Sequence, residues 1–393
     1  MGAEPQEFSL ERIFQAAIAQ NRAVAFWRLP HTKEVNICVS LQENLLIHQP
    51  KLEESPFGFL FSPFQESGGY RNNFIKADIH YSTETGALTF SPDVPAAALE
   101  DFKEALASSS TLNVGWHTPS TVIEQKHQTE EGFVAAVEKA KEAIGNGEME
   151  KVVLSRNIQR ALPVSFSPFG AFATVQQEYP RAFVSLVSVP EVGTWMGASP
   201  EILVSINPEQ IFHTVALAGT QPAAENPAEA IWRQKEIEEQ GMVERYILSC
   251  FKSLRLREYT EVGPRTVIAG NLMHLRTDFK VDLKEVNFPT LGSAMLALLH
   301  PTSAVCGLPK EPALEFILAH EGYNRAYYSG YLGPVGSPGG THLFVNLRCM
   351  ELLKNDVILF AGAGITGDSN PQKEWQETQH KMQTMQKILS TFE

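Results

Sequence analysis

Two acid-rich helical segments and two turns of small residues carry the side chains in this chain that could do chemistry. In the first segment, read as a helix over 226–251 with Asn226 as N-cap and Pro227 at its first position, a rotation of about 100° per residue puts Trp232, Val243, Tyr246 and Cys250 within an arc of about 60°. Glu239 lies inside that arc. A carboxylate on an apolar face is costly unless a cation pairs with it or it binds a metal. Glu236 falls only about 40° from Trp232, so spacing leaves open which glutamate turns inward. A salt bridge or a rim position accounts for either. In the helix expected after Pro371, Glu374, Glu377 and Lys381 stand at i, i+3 and i+7. Glu377 and Lys381 have the favoured order for an ordinary i,i+4 pair on a solvated face. The alternative is a carboxylate pair able to hold a hard cation.

The second helix follows a glycine loop, Gly362–Ala363–Gly364–Ile365–Thr366–Gly367, which matches GxGxxG after a strand. A dinucleotide site is excluded by geometry. The helix starts late, at Pro371, and only 26 residues follow Gly367, too few for a returning strand and a ribose-binding carboxylate. What remains is a tight strand-to-helix turn or a cradle of backbone N–H groups for a small anion.

Three further residues sit at strand ends. Glu201 closes the turn Gly197–Ala198–Ser199–Pro200 before the apolar run Ile202–Val204, where burial would raise its pKa and keep a proton on it. Lys151 opens Lys151–Leu154, where desolvation would push an amine toward neutrality. Each is otherwise a surface charge. Arg348, alternating with Leu347 and Cys349 along an expected strand 343–349, could grip a carboxylate bidentately or cap a loop.

The elements that must position these groups alternate irregularly. A helix is expected at 129–147, with Thr129 as N-cap, Glu130 and Glu131 against the dipole, and Phe133, Val137, Ala140 and Ile144 as its apolar stripe. Strand patterns cover Ala23–Leu29, Phe57–Phe61, Phe74–Tyr81, Phe183–Val189, Ile202–Ile206, Phe212–Leu217 and Val357–Phe360. Strands grouped around turns favour an antiparallel α+β architecture over a doubly wound parallel sheet. No linker divides the 393 residues, so a single domain is expected.

Composition narrows the partners. The formal charge of −13 argues against nucleic acid or an anionic membrane surface as partner. An anionic ligand would need local positive charge. Cys38, Cys250, Cys306 and Cys349 form no CxxC pair and read as reduced, mostly buried thiols. With no signal core and no apolar run of about 18 residues, a cytoplasmic location is the expectation.

Eight short blocks in consistent order carry a resemblance: KVVLSR (151–156), GASPEIL (197–203), ALAGT (216–220), HLRT (274–277), LHPTSAVCGLPK (299–310), LRC (347–349), LFAGAGI (359–365) and EWQET (374–378). Over residues 110–393 the chain resembles the chorismate-utilising enzymes. The resemblance implies two large antiparallel β-sheets packed face to face with helices outside, and an active site between them. It implies one chorismate-binding domain over 1–393, with 1–110 a divergent part of the same fold. It implies Mg²⁺ on Glu239 and Glu377, with Glu374 reaching the ion through water, Lys151 as general base and Glu201 as general acid. Arg348, Lys381 and the backbone of Gly362 and Gly364 would hold substrate carboxylates, and Thr220 and His274 would line the pocket.

The family's branches differ in chemistry. Aminodeoxychorismate-forming members place a nucleophilic lysine where this chain has Ala218, which cannot attack. Anthranilate-forming members deliver ammonia and carry glutamine at the position of Lys151. A lysine there suits activation of water, and no glutamine amidotransferase subunit is expected. Salicylate-forming members share the lysine but tend to have Thr near Ala304. The implied activity is therefore conversion of chorismate to isochorismate, an isomerisation, with salicylate formation by pyruvate loss as the alternative. Gln240 and Glu236 depart from the His and Asp common in relatives.

Overall fold

The computed structural model describes residues 9–109, 115–120, 128–222, 230–269 and 272–393. Two antiparallel sheets organise them. The first has ten strands in the order Gly307–Leu308, Lys151–Ala161, Asp356–Ile365, Cys349–Leu352, Gly193–Ser199, Phe183–Val189, Ala23–Arg28, Asn36–Ser40, Ile79–Ser82 and Leu88–Phe90. The second has nine: Thr260–Ala269, Leu272–Asp282, Ile211–Pro222, Ile202–Ile206, Thr341–Val345, Tyr331–Val335, Gly58–Ser62, Asn72–Lys76 and Leu46–Ile47. Residues 23–90 thus supply one end of each sheet, next to strands from the later part of the chain.

The sheets meet through an aromatic layer. Trp27, Phe183 and Trp195 of the first sheet share a buried cluster with Phe59, Phe61 and Phe344 of the second, and the Phe183 and Phe344 rings stack at 4.2 Å. Alternation along each strand sends every second side chain into this layer and the others outward. Outside, Leu10–Ala19 and Pro168–Glu178 cover the first sheet, through Ile13, Phe14 and Phe172. Gln234–Ser253 and Leu291–Leu299 cover the second, through Val243, Ile247, Phe251 and Met295.

Several elements fall where the residue pattern puts them. Thr129 caps helix Glu130–Gly145, its side chain accepting from the Gly132 N–H. Pro371 opens helix Pro371–Ser390 behind an Asn370 cap. The four cysteines are free and buried. Among the described residues no helix is long and apolar enough to cross a membrane.

Three expectations need correction. The run Phe74–Tyr81 is two strands in different sheets, broken at Ala77–Asp78. The run 343–349 is also two strands. The chain leaves the second sheet at Val345 and joins the first at Cys349, and Arg348 between them has φ 49°. Arg348 is therefore a crossover residue, not one in a strand's alternation. The helix expected from 226 starts at Gln234, with Arg233 as N-cap. Glu236 turns back to accept from the Arg233 N–H at 2.9 Å, which fixes the start there. Trp232 precedes the helix and donates its indole N–H to Thr266 at 2.9 Å. Asn226 and Pro227 lie outside the described residues.

Candidate active site

A polar cavity opens between the sheets where three things converge: the start of strand Lys151–Ala161, the end of strand Asp356–Ile365, and the first turns of helix Gln234–Ser253. Among the candidates from the sequence, Lys151, Glu201, Glu239, His274, Arg348, Gly362, Gly364, Glu377 and Lys381 all line it. Glu374 is buried just behind, and the side chain of Thr220 lies outside what the structure describes.

Lys151 is almost fully buried and donates to Glu239 Oε1 at 2.8 Å. Burial alone would raise the Glu239 pKa, but the ammonium groups of Lys151, Lys381 and Lys235 together outweigh it and hold this carboxyl below its ordinary range. Glu201 is the opposite case. Burial pushes its pKa up to about 7 even though Lys151 and Arg348 pull the other way. A carboxyl in that condition carries a proton for much of the neutral range.

Arg348 presents its guanidinium to this cavity with no hydrogen-bond or ion-pair partner among the described residues, near the charges of Glu377 and Glu201. Lys381 donates to the Gly362 carbonyl at 2.8 Å and pairs with Glu377 at 2.6 Å. His274 lies within hydrogen-bonding distance of the Gly219 carbonyl through Nδ1, at 2.8 Å. A carbonyl only accepts, so Nδ1 holds the proton, and burial keeps the ring neutral by lowering its pKa to about 4.

The glycine run is not a loop up to its fourth residue. Gly362 and Gly364 continue the strand, opposite Ser155 and Val153. Their lack of a side chain answers a need for close approach. A Cβ on Gly364 would lie 3.0 Å from Glu239 Oε1 and 3.0 Å from Lys151 Cε, and one on Gly362 would lie 3.1 Å from the Tyr328 hydroxyl. Glycine here keeps the wall back so that the lysine and glutamate can meet.

A clamp behind the cavity sets its wall. Arg325 donates to the carbonyls of Val153 and Val305, both at 2.7 Å, and pairs with Glu321, which accepts from the Ser155 N–H at 2.6 Å. Both charged groups are buried, and between them they tie the Lys151 strand to the segment after Pro301.

Lys235 and Tyr328 also line the cavity and were missed in the sequence reading. Lys235 precedes Glu239 by four residues, a same-face spacing that offered a signal. Tyr328 sits in an irregular stretch with no periodicity to mark it.

The donors suit a hard cation in kind: Glu239 and Glu377 are carboxylates facing one cavity, with Glu374 behind them. Among the described residues no three acidic, His or Cys side chains converge on one point, and each of these glutamates accepts from a lysine. Magnesium keeps several waters and takes only one or two carboxylates, so Glu239 and Glu377, two of the four glutamates on the cavity wall beside Glu201 and Glu236, match its demand in number.

Residues 83–390 match the family model described as chorismate binding enzyme. The chain belongs to that family. It is 30% identical to isochorismate synthase DhbC of Bacillus subtilis over 66% of this chain and 68% of that one. It is 32% identical to anthranilate synthase component 1 of Streptomyces coelicolor over 65% of this chain but 51% of that one. Among solved structures, MenF, the menaquinone-specific isochorismate synthase of Escherichia coli, superposes with a TM-score of 0.74 at 22% identity, covering 96% of this chain and 91% of that one. That likeness bears on the fold, two large antiparallel sheets, as the resemblance implied.

Proposed function

We propose that this chain is an isomerase that converts chorismate to isochorismate, with Mg²⁺ as cofactor. The observation that carries the reading is the pairing of Lys151 with Glu201 on one cavity, the carboxyl having its pKa raised to about 7. A binding module has no use for a buried acid held near neutrality opposite an amine. The isochorismate synthase names among the relatives support the reaction.

Chorismate is a dianion, and the cavity offers Arg348 and Lys381 to its carboxylates. Lys151, as its neutral amine, takes a proton from the water that attacks C2 of the ring and becomes the ammonium. The ring double bonds shift, and the C4 hydroxyl departs with the proton of Glu201. Atoms balance as one hydroxyl gained and one lost, and each proton transfer is worth about 10²–10⁴-fold. Bound by Glu239 and Glu377, Mg²⁺ would supply positive charge to the ring carboxylate and offset the substrate's negative charge. His274 lines the same cavity as a neutral ring, with its Nδ1–H directed to the Gly219 carbonyl.

Water and not ammonia is the nucleophile on this reading, so no glutamine amidotransferase is required. Purified protein given chorismate and Mg²⁺ is expected to form isochorismate without pyruvate, read by chromatography. Pyruvate released in step with an aromatic product would favour the salicylate-forming alternative, and no consumption of chorismate would refute both.

A further inference from the structure

Lys235 stands in the first turn of helix Gln234–Ser253, one turn before Glu239. A cation there opposes the helix dipole and needs a compensating partner. It has several. Its ammonium donates to Glu374 Oε1 at 3.1 Å, a carboxylate whose side chain is 3% exposed. It shares the cavity wall with Glu239 and Glu377, whose charges act on it together with that of Glu374. Three lysines thus face three glutamates: Lys151 with Glu239, Lys381 with Glu377, and Lys235 with Glu374. Lys151 and Lys381 have work on the substrate; Lys235 has none in the reaction proposed above.

We propose that Lys235 is a built-in counter-ion of this glutamate set, whose ammonium shares the carboxylates with a divalent cation held by Glu239 and Glu377 and so sets how tightly the protein binds that cation. The inference rests on the metal reading made under the proposed function. Like charges in one carboxylate field oppose each other, so removing the lysine charge deepens the field for the incoming ion. Glu374, behind the wall, is the carboxylate that gains most freedom to help hold the ion's water shell.

The test is Mn²⁺ binding to the intact protein without substrate, followed by the electron paramagnetic resonance signal of free Mn²⁺. Lys235→Gln is expected to bind Mn²⁺ about 3- to 10-fold more tightly than the wild type. Lys235→Arg, which keeps the charge, is expected to stay within about twofold. Thermal unfolding gives a second readout: without metal Lys235→Gln melts lower, because Glu374 loses its partner, and Mn²⁺ raises its Tm by more than it raises that of the wild type. Equal binding by the wild type and Lys235→Gln would overturn the inference while leaving the metal reading intact. Weaker binding by the variant would also overturn it, showing that Lys235 holds Glu374 in place for the ion. Absence of Mn²⁺ binding in all three proteins would remove the metal reading and this inference with it.

Discussion

Lys151 donates to Glu239 at 2.8 Å, and that one bond joins a strand of the first sheet to a helix lying on the second. The lysine arrives from the start of strand Lys151–Ala161 and the glutamate from the second turn of helix Gln234–Ser253. An ammonium has no lone pair, so Lys151 can accept a proton only after losing one, and the neutral amine keeps N–H groups that still donate to Glu239. The base of the proposed reaction and a carboxylate proposed for the metal are therefore coupled through a shared hydrogen bond.

Gly364 is the residue that permits the pair. Its φ is unexceptional, so alanine fits the backbone, but the added methyl would press on both Glu239 Oε1 and Lys151 Cε at 3.0 Å. Gly364→Ala is expected to fold with a Tm within a few degrees of the wild type, while turnover falls by up to about 10²-fold, the cost of a displacement of about 1 Å at reacting groups. Calorimetry and steady-state kinetics read the two effects separately. A variant with unchanged turnover would mean that the Lys151–Glu239 geometry does not matter.

The raised pKa of Glu201 fixes the sign of a pH effect. The acid form donates, and it predominates below about 7. In the free enzyme kcat/KM should therefore fall on the alkaline side with an apparent pKa near 7 from this group. Profiles of kcat/KM against pH, wild type against Glu201→Gln, should show that limb in the first and not in the second. An identical alkaline limb in both would assign it to another group.

Glu351 gives a stability test away from the cavity. It is buried in the strand Cys349–Leu352, and burial alone raises its pKa to about 8. The folded state therefore binds the proton more tightly than the unfolded chain. The stability from this group is fully present below the ordinary carboxylate pKa of about 4.3 and is lost as pH rises through about 8. Glu351→Gln keeps the shape and removes the charge. Its Tm advantage over the wild type should grow between pH 5 and about 9 by melting curves, and a constant difference across that range would show that Glu351 does not titrate on unfolding.

Elements are legible in the sequence where local pattern and tertiary placement agree. Strands Phe183–Val189 and Ile202–Ile206 have the bounds their apolar runs give, and Thr129 and Pro371 mark helix starts by chemistry that needs no distant partner. Elements are not legible where a long-range event cuts a continuous pattern. Nothing local distinguishes Leu347–Arg348–Cys349 from strand residues; the left-handed φ of Arg348 exists because the chain changes sheets there. Ala77–Asp78 breaks another run for the same reason. Glu236 and Glu239 both reach the cavity wall, and what separates them is a capping bond that ties Glu236 to the Arg233 N–H while Glu239 meets Lys151, a difference no helix spacing encodes. Strand grouping pointed to an antiparallel α+β class, but the face-to-face packing of two sheets and the expected roles came from the eight motif blocks, because helix and strand periodicity do not encode which strand ends meet.

The most direct measurement is chorismate turnover by Lys151→Ala and Glu201→Gln beside the wild type, with substrate binding followed by calorimetry. The account predicts that both variants still bind chorismate and that each loses about 10²–10⁴-fold in kcat. Near-full turnover by either one would contradict the assignment of the acid and base, and with it the chemistry proposed for the cavity.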